Sequence, residues 1–215
     1  MNNPSESRIL IVEGTDDLHS ICHLMGYHIE WPDSKADAPV QIKIGKSDNE
    51  ILNETFLTVT LKSRDVRIVG IMIDADDNPL QKYERIRKLL QKSFPELPDG
   101  LPPEGLIIDG EDKRLGVWVM PDNQANGGLE IFLRGLVPDT SEPLWQHAVL
   151  SVDKARELGA AIRDSHIDKA NLYTWLSWQD PPGRSPGLAL KKSQLDPHSV
   201  NATPFVKWFR ELYGL

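Results

Sequence analysis

The feature that most constrains the fold is the run VRIVGIMI at positions 66–73, which leads directly into an Asp-Ala-Asp sequence. A short run that is apolar at almost every position is typical of a strand buried on both faces of a parallel sheet. Arg8–Val12 (RILIV) has the same character and leads into a Glu-Gly pair. Because helical patterns separate these strands, the sequence predicts an α/β protein with a mostly parallel sheet flanked by helices.

Helix signals follow each of the early strands. Thr15 is suited to an N-cap, and Leu18, Ile21, Cys22 and Met25 repeat after it at helical spacing. A strand is predicted at Val40–Ile44, and a helix at Asp48–Leu61 lies between it and the run at 66–73. A further helix is predicted from Pro79 to Leu90.

A Pro- and Gly-rich connection at 94–105 divides the sheet into two parts. After it, Leu106–Ile108 and Leu115–Met120 are predicted as strands and Gly128–Leu136 as a short helix. From Glu142 onward no strand pattern remains, and helices are predicted at Leu144–Ile162, Asp168–Trp178 and Pro204–Leu212. We therefore expect an α/β core at 8–140 and a helical C-terminal extension at 141–215 packed on it.

The composition narrows the class of protein. With 215 residues, the chain fits one ordinary domain or a core with a modest appendage. Its formal net charge of −8 argues against binding nucleic acid by bulk charge alone, so such contact requires a local basic patch or a metal. A single cysteine, Cys22, excludes an internal disulfide and a Cys-based zinc site. Without a long apolar segment or signal-peptide pattern, we expect a cytoplasmic protein and no membrane partner.

Acidic residues stand where the two buried strands end. Glu13 follows the first strand, and Asp74 and Asp76 follow the run at 66–73. Ligands of open α/β sheets bind at the carboxyl ends of strands, and carboxylate oxygens suit Mg²⁺ or Mn²⁺. Asp17 lies one helical turn after Glu13 and is expected to face the same cleft. The alternative is that these acids only cap helices and remain solvated.

Other patterns carry less weight. His19 and His23 have the i, i+4 spacing of a metal pair but lack the accompanying glutamate, so structural roles are expected. Trp175 and Trp178 share a helix face, which is more typical of a core than of base stacking. Gly183–Lys192 contains Arg184, Lys191 and Lys192 without an acid, and this segment is either the best phosphate-contact patch in the chain or an ordinary solvated loop.

The order of these motifs along the chain resembles that of a known fold. A strand ending in Glu13-Gly14, then Asp17, then a later strand ending in Asp74-Ala75-Asp76 resembles the Toprim fold of topoisomerases, bacterial primases and the overcoming-lysogenization-defect nucleases. That likeness covers about residues 8–136. The chain more closely resembles a bacterial Toprim-like family of unknown function over nearly its whole length, including the YTWLSWQ segment at 173–179.

The resemblance implies a set of roles. In such enzymes the residue at Glu13 acts as a general acid/base or metal ligand, and those at Asp74 and Asp76 hold divalent metal. In the nuclease branch the acid at Asp17 joins the metal ligands, and a later acid and a lysine complete the site. Glu130 is the candidate acid. Lys191 or Lys192 is the candidate lysine, and neither assignment rests on a motif.

The expected function is therefore Mg²⁺- or Mn²⁺-dependent phosphodiester hydrolysis, or a related phosphotransfer, on nucleic acid, with DNA favoured over RNA. One alternative is a non-catalytic Toprim-like regulatory module that works with a separate ATPase partner. Another is a haloacid-dehalogenase-type phosphatase, for which residues 71–76 supply a superficial match. In that class the motif lies on the first strand, whereas here the strand that leads into Glu13 precedes the motif.

Overall fold

The computed structural model describes residues 7–32, 34, 36–45 and 47–215. The strands are β1 (Arg8–Val12), β2 (Gln41–Ile44), β3 (Ile68–Asp74), β4 (Leu106–Asp109) and β5 (Arg114–Met120). The α-helices are α1 (Thr15–Met25), α2 (Asp48–Ile51), α3 (Glu54–Lys62), α4 (Pro79–Leu90), α5 (Leu129–Arg134), α6 (Glu142–Glu157), α7 (Ile167–Ser177), α8 (Pro186–Lys191) and α9 (Thr203–Tyr213).

The five strands form one sheet in the order β2-β1-β3-β5-β4. Strands β2, β1, β3 and β5 are parallel, and only β4 at the edge runs antiparallel to its neighbour β5. In the β1–β3 register, Ile11 lies beside Ile71. The predicted α/β class with a mostly parallel sheet flanked by helices is confirmed, and the carboxyl ends of β1 and β3 are neighbours.

Alternate residues of the central strands enter two different hydrophobic clusters. Leu10 and Met72 face the cluster that contains α1 and the helices after α4, whereas Ile9 and Ile71 face the cluster that contains α4. All four side chains are at most 1% exposed. Burial on both faces explains why these strands are apolar without alternation.

The helical C-terminal part of the chain packs against one face of the sheet. The hydroxyl of Tyr213 in α9 donates to the carbonyl of Ile9 in β1 at 2.8 Å, and Trp208 Nε1 donates to the carbonyl of Leu106 at 3.0 Å. The predicted helical extension is thus present and contributes to the core. The boundary at residue 140 stays a prediction. No helix in the described ranges combines the length and the apolar character needed to cross a membrane.

Candidate functional site

The site is built around the adjacent ends of β1 and β3. Glu13 follows the last residue of β1, and Asp74 is the last residue of β3. Glu13 Oε1 accepts a hydrogen bond from the backbone N–H of Asp74 at 2.8 Å. This contact ties the glutamate of the first motif to the aspartate of the second, although sixty residues separate them along the chain.

Asp17 is held at the start of α1. It occupies the third position of that helix, and its Oδ2 accepts from the backbone N–H of Gly14 at 2.8 Å, which is the return half of a capping box. Only 8% of the residue is exposed. Asp17 is therefore a buried carboxylate with one of its two oxygens on the backbone, and it lies on the same sheet edge as Glu13.

Asp74 is enclosed by the segment that precedes α5. Its Oδ1 accepts from the backbone N–H of Leu129 at 3.0 Å. A Cβ atom on Gly128 would lie 2.4 Å from the Asp74 carboxyl carbon, closer than real Cβ contacts. Glycine at position 128 therefore allows the backbone to approach the carboxylate. Its φ of −155° is extended and open to other residues, so the close approach, and not the backbone conformation, requires glycine here.

Burial and neighbouring carboxylates raise the pKa of two acids at this edge, Asp74 and Asp17. Burial is the largest cause that raises the pKa of Asp74 to about 8, and Asp17, Glu13 and Glu130 raise it further by repulsion. Burial likewise raises the pKa of Asp17 to about 7, opposed by the Gly14 hydrogen bond. Glu130, the second residue of α5, contributes to both shifts. Glu13, Asp17, Asp74 and Glu130 therefore lie near enough to one another for their charges to interact.

Helix α7 adds two polar side chains that sequence reasoning did not select. Lys169 Nζ lies 3.6 Å from Glu130 Oε1 and 3.7 Å from Asp16 Oδ2. The Tyr173 hydroxyl donates to Asp16 Oδ2 at 2.9 Å. Burial, and then this hydrogen bond, raise the pKa of Tyr173, so the phenol remains a neutral donor. The i, i+4 spacing of Lys169 and Tyr173 shows that they share a helix face, but no sequence signal indicated that this face meets α1.

Asp76 does not join the other acids. Strand β3 ends at Asp74, and Asp76 has φ of +50°, a left-handed conformation that aspartate tolerates better than most residues. Its side chain is 67% exposed and accepts from Lys82 Nζ at 2.5 Å. Its backbone forms a bridge with Gly127. The expected convergence of Asp74 and Asp76 assumed an extended chain, and the turn at Asp76 breaks that alternation.

Lys191 lies beside the other end of α1. Its carbonyl accepts from the Tyr27 hydroxyl at 3.1 Å, and its side chain lines a groove that also includes Trp31. Gly187 allows α8 to pack closely against α1. A Cβ atom on Gly187 would lie only 2.6 Å from the Cβ of His19. Among the described residues, Lys169 has its ammonium within 4 Å of carboxylates at this edge, those of Glu130 and Asp16.

The donor set fits Mg²⁺ or Mn²⁺ in kind, because it consists of carboxylate oxygens without thiol or imidazole. Within the part of the chain that the structure describes, no three acidic, histidine or cysteine side chains are close enough together to hold a metal ion as placed. Instead, one carboxylate oxygen of each of three acids accepts a hydrogen bond from a backbone N–H, in Glu13, Asp17 and Asp74. Binding of an ion therefore requires these repelling carboxylates to draw together.

Comparison with known proteins gives a family. A family model described as a protein of unknown function, DUF3226, matches residues 7–214. The chain belongs to the DUF3226 family. The DUF3226 match extends from β1 to α9, so it includes the acids of the sheet edge and Lys169 and Tyr173 of α7. Neither the curated proteins nor the solved structures contain a match to the chain. The expected membership of a family of unknown function is confirmed, and the likeness to the Toprim fold stays a prediction.

Proposed function

We propose that this DUF3226 protein hydrolyses phosphodiester bonds in nucleic acid, with DNA favoured over RNA, and depends on Mg²⁺ or Mn²⁺. The observation that carries the proposal is the contact between Glu13 Oε1 and the backbone N–H of Asp74, with Asp17 and Glu130 close enough to perturb the pKa of Asp74. Four carboxylates that repel one another destabilise the folded chain unless a cation or protons neutralise them.

The likeness to Toprim proteins supports this proposal. In those proteins a glutamate and an aspartate end neighbouring strands, and here Glu13 follows β1 and Asp74 ends β3, which pair in parallel. Asp17 lies in the first turn of the helix that follows. The second aspartate of the motif, Asp76, departs from this arrangement because its carboxylate pairs with Lys82. The proposed ligands are therefore Glu13, Asp17, Asp74 and Glu130, which is the expected set without Asp76.

Each side chain then has a chemical role. A bound divalent ion would polarise the phosphate and lower the pKa of the attacking water. Asp17 and Asp74 each have one oxygen bonded to the N–H group of Gly14 or Leu129, so their other oxygens would be the ones available to hold an ion. Glu13 is partly exposed and is the acid best suited to accept the proton of the attacking water.

The positive charge needed opposite a phosphate comes from α7. The chain has a net charge of −8, and Lys169 is an ammonium group held 3.6 Å from Glu130. Its side chain is 52% exposed, so it is open to a substrate that enters the cleft from solvent. The basic segment of α8, with Lys191, lies farther along α1 and is suited to contact with more distant phosphates.

Plasmid nicking tests the proposal. We expect nicking with Mg²⁺ or Mn²⁺ and none with EDTA, and we expect Glu13→Gln and Asp74→Asn each to lower the rate by about a hundredfold or more, the usual size of an acid/base or electrostatic contribution. Asp109→Asn is the matched control, because Asp109 pairs with Arg114 at the amino-terminal edge of β5, opposite the site. Nicking that persists in both site variants would contradict the assignment. Mn²⁺ binding without nicking would instead favour the non-catalytic module.

A further inference from the structure

An open groove of about 630 Å³ lies between helix α1 and the edge strand β2. One wall is a face of α1 that includes Leu18 and Cys22, and the other is formed by β2 and the segment before it, which includes Trp31. Lys191, the last residue of α8, lines the groove as well. We call it the α1–β2 groove.

One end of the α1–β2 groove lies at the same sheet edge as the acidic site. Ile44, the last residue of β2, and Thr15, the first residue of α1, line this end. Ile44 pairs in register with Val12, which directly precedes Glu13. Because paired strands lie about 4.8 Å apart, the groove opens next to the glutamate of the proposed site.

The walls of the α1–β2 groove carry aromatic rings. The Trp31 ring packs against the fully buried Phe209, with centroids 6.1 Å apart, so the core supports it from one side. The rings of His19 and His23 on α1 are nearly parallel, at 18°, with centroids 6.3 Å apart. Aromatic side chains of this kind stack with nucleobases without regard to sequence, because every base has a flat face.

The charge of the α1–β2 groove differs from that of the chain as a whole. The chain has 32 acidic residues and a net charge of −8, yet the described residues that line the groove include a lysine and neither aspartate nor glutamate. Lys191 is exposed, and its carbonyl accepts from the Tyr27 hydroxyl at 3.1 Å, which places it beyond the end of α1. An ammonium in a groove without acids is suited to a backbone phosphate.

We infer that the α1–β2 groove holds unpaired nucleotides that flank the cleaved phosphodiester, with bases against Trp31 and the two histidines and a phosphate at Lys191. The inference rests on the proposed function, since it names the form of nucleic acid that reaches the same site. Bases in a duplex are paired and stacked on one another, whereas a single strand exposes their faces. Plasmid nicking agrees with this preference, because negative supercoiling favours local unpairing.

Fluorescence anisotropy of labelled oligonucleotides with the full chain in EDTA tests this inference, because binding is then measured without cleavage. We expect a single strand to bind at least about fivefold more tightly than a duplex of the same length, the smallest effect of one stacked base. Trp31→Leu should lose about fivefold or more of the single-strand affinity. Trp178→Leu is the matched control, because Trp178 stacks on His147, outside the groove.

A second variant leaves the core untouched. Lys191→Ala changes an exposed side chain and should lower the slope of log K against log salt concentration by about 0.7, the value for one phosphate contact on a single strand. The neighbouring Lys192 is exposed but does not line the groove, so Lys192→Ala should keep the wild-type slope. If Trp31→Leu does not fold, the comparison of these two lysine variants decides.

Three results would each overturn the inference: equal affinity for single strand and duplex, wild-type affinity in folded Trp31→Leu, or an unchanged slope in Lys191→Ala. Failure of the proposed function is measured separately. Groove-dependent binding of single strands without metal-dependent nicking would contradict the proposed function alone. Metal-dependent nicking by a chain that binds both forms equally would contradict this inference alone.

Discussion

The Oε1 atom of Glu13 accepts a hydrogen bond from the backbone N–H of Asp74 at 2.8 Å. Glu13 thereby closes the end of β1 against the end of β3 and leaves the Asp74 carboxylate directed toward the start of α5, where Leu129 N–H donates to it. The two acids are thus organised by the backbone before any ion binds.

Binding of Mn²⁺ should stabilise the fold through the carboxylates of Glu13, Asp17 and Asp74. An ion that binds only the folded chain adds about 2.7 kcal/mol to the free energy of unfolding at a hundredfold excess over its Kd. We expect Asp74→Asn to lose most of this gain, measured by chemical denaturation with Mn²⁺ and with EDTA. Asp76→Asn is the companion variant. We expect it to keep the full Mn²⁺-dependent gain in stability, because Asp76 pairs with Lys82. A lost gain in Asp76→Asn would return that residue to the site.

Stability of the metal-free protein should fall as the pH rises toward 8. The pKa values of Asp17 and Asp74 are about 7 and 8 in the folded chain, against an ordinary value of 3.8. Between about pH 4 and 8 the folded state therefore binds more protons than the unfolded state, so the stabilising contribution of these groups falls progressively across this range and is lost above about pH 8. Urea unfolding in EDTA at pH 5 and pH 8.5 measures the difference. Asp74→Asn should show a smaller decrease, and an equal decrease in both proteins would contradict the shift.

Gly128→Ala should disturb the site without straining the backbone. The added methyl would lie 2.4 Å from the Asp74 carboxyl carbon, while φ at this position is extended and open to alanine. Overpacking of this kind costs about 1–3 kcal/mol, and the displaced carboxylate should bind Mn²⁺ more weakly. Gly100→Ala is the control, because a Cβ there meets nothing within 4 Å. Unchanged Mn²⁺ affinity in Gly128→Ala would show that the carboxylate can shift freely.

Tyr213→Phe should test whether the C-terminal helices belong to the cooperative core. The buried hydroxyl donates to the carbonyl of Ile9 in β1, and its loss should lower the free energy of unfolding by about 1 kcal/mol. We expect a single unfolding transition by fluorescence and circular dichroism, shifted to lower denaturant. A separate early transition of the helices, with the sheet unaffected, would indicate that residues 141–215 fold independently of the core.

The sequence by itself determined the strands and the edge of the site. Strands β1 and β3 are recognisable because burial on both faces requires apolar residues at every position, and parallel strands carry the residues that follow them, Glu13 and Asp74, to one edge. Helix boundaries were less well predicted where they depend on a single capping side chain. The helix expected at 48–61 is divided at Asn53, whose side chain caps α3 by accepting from Thr55 N at 2.9 Å.

Tertiary structure alone decided which other side chains reach that edge. Lys169 and Tyr173 meet Asp16 because α7 packs with one particular face toward α1, and helical periodicity shows which residues share a face but not what that face contacts. Asp76 turns away because its backbone adopts a positive φ, which the Asp-Ala-Asp sequence permits but does not require. The carboxylates follow from local pattern, whereas their cationic partner follows from long-range packing.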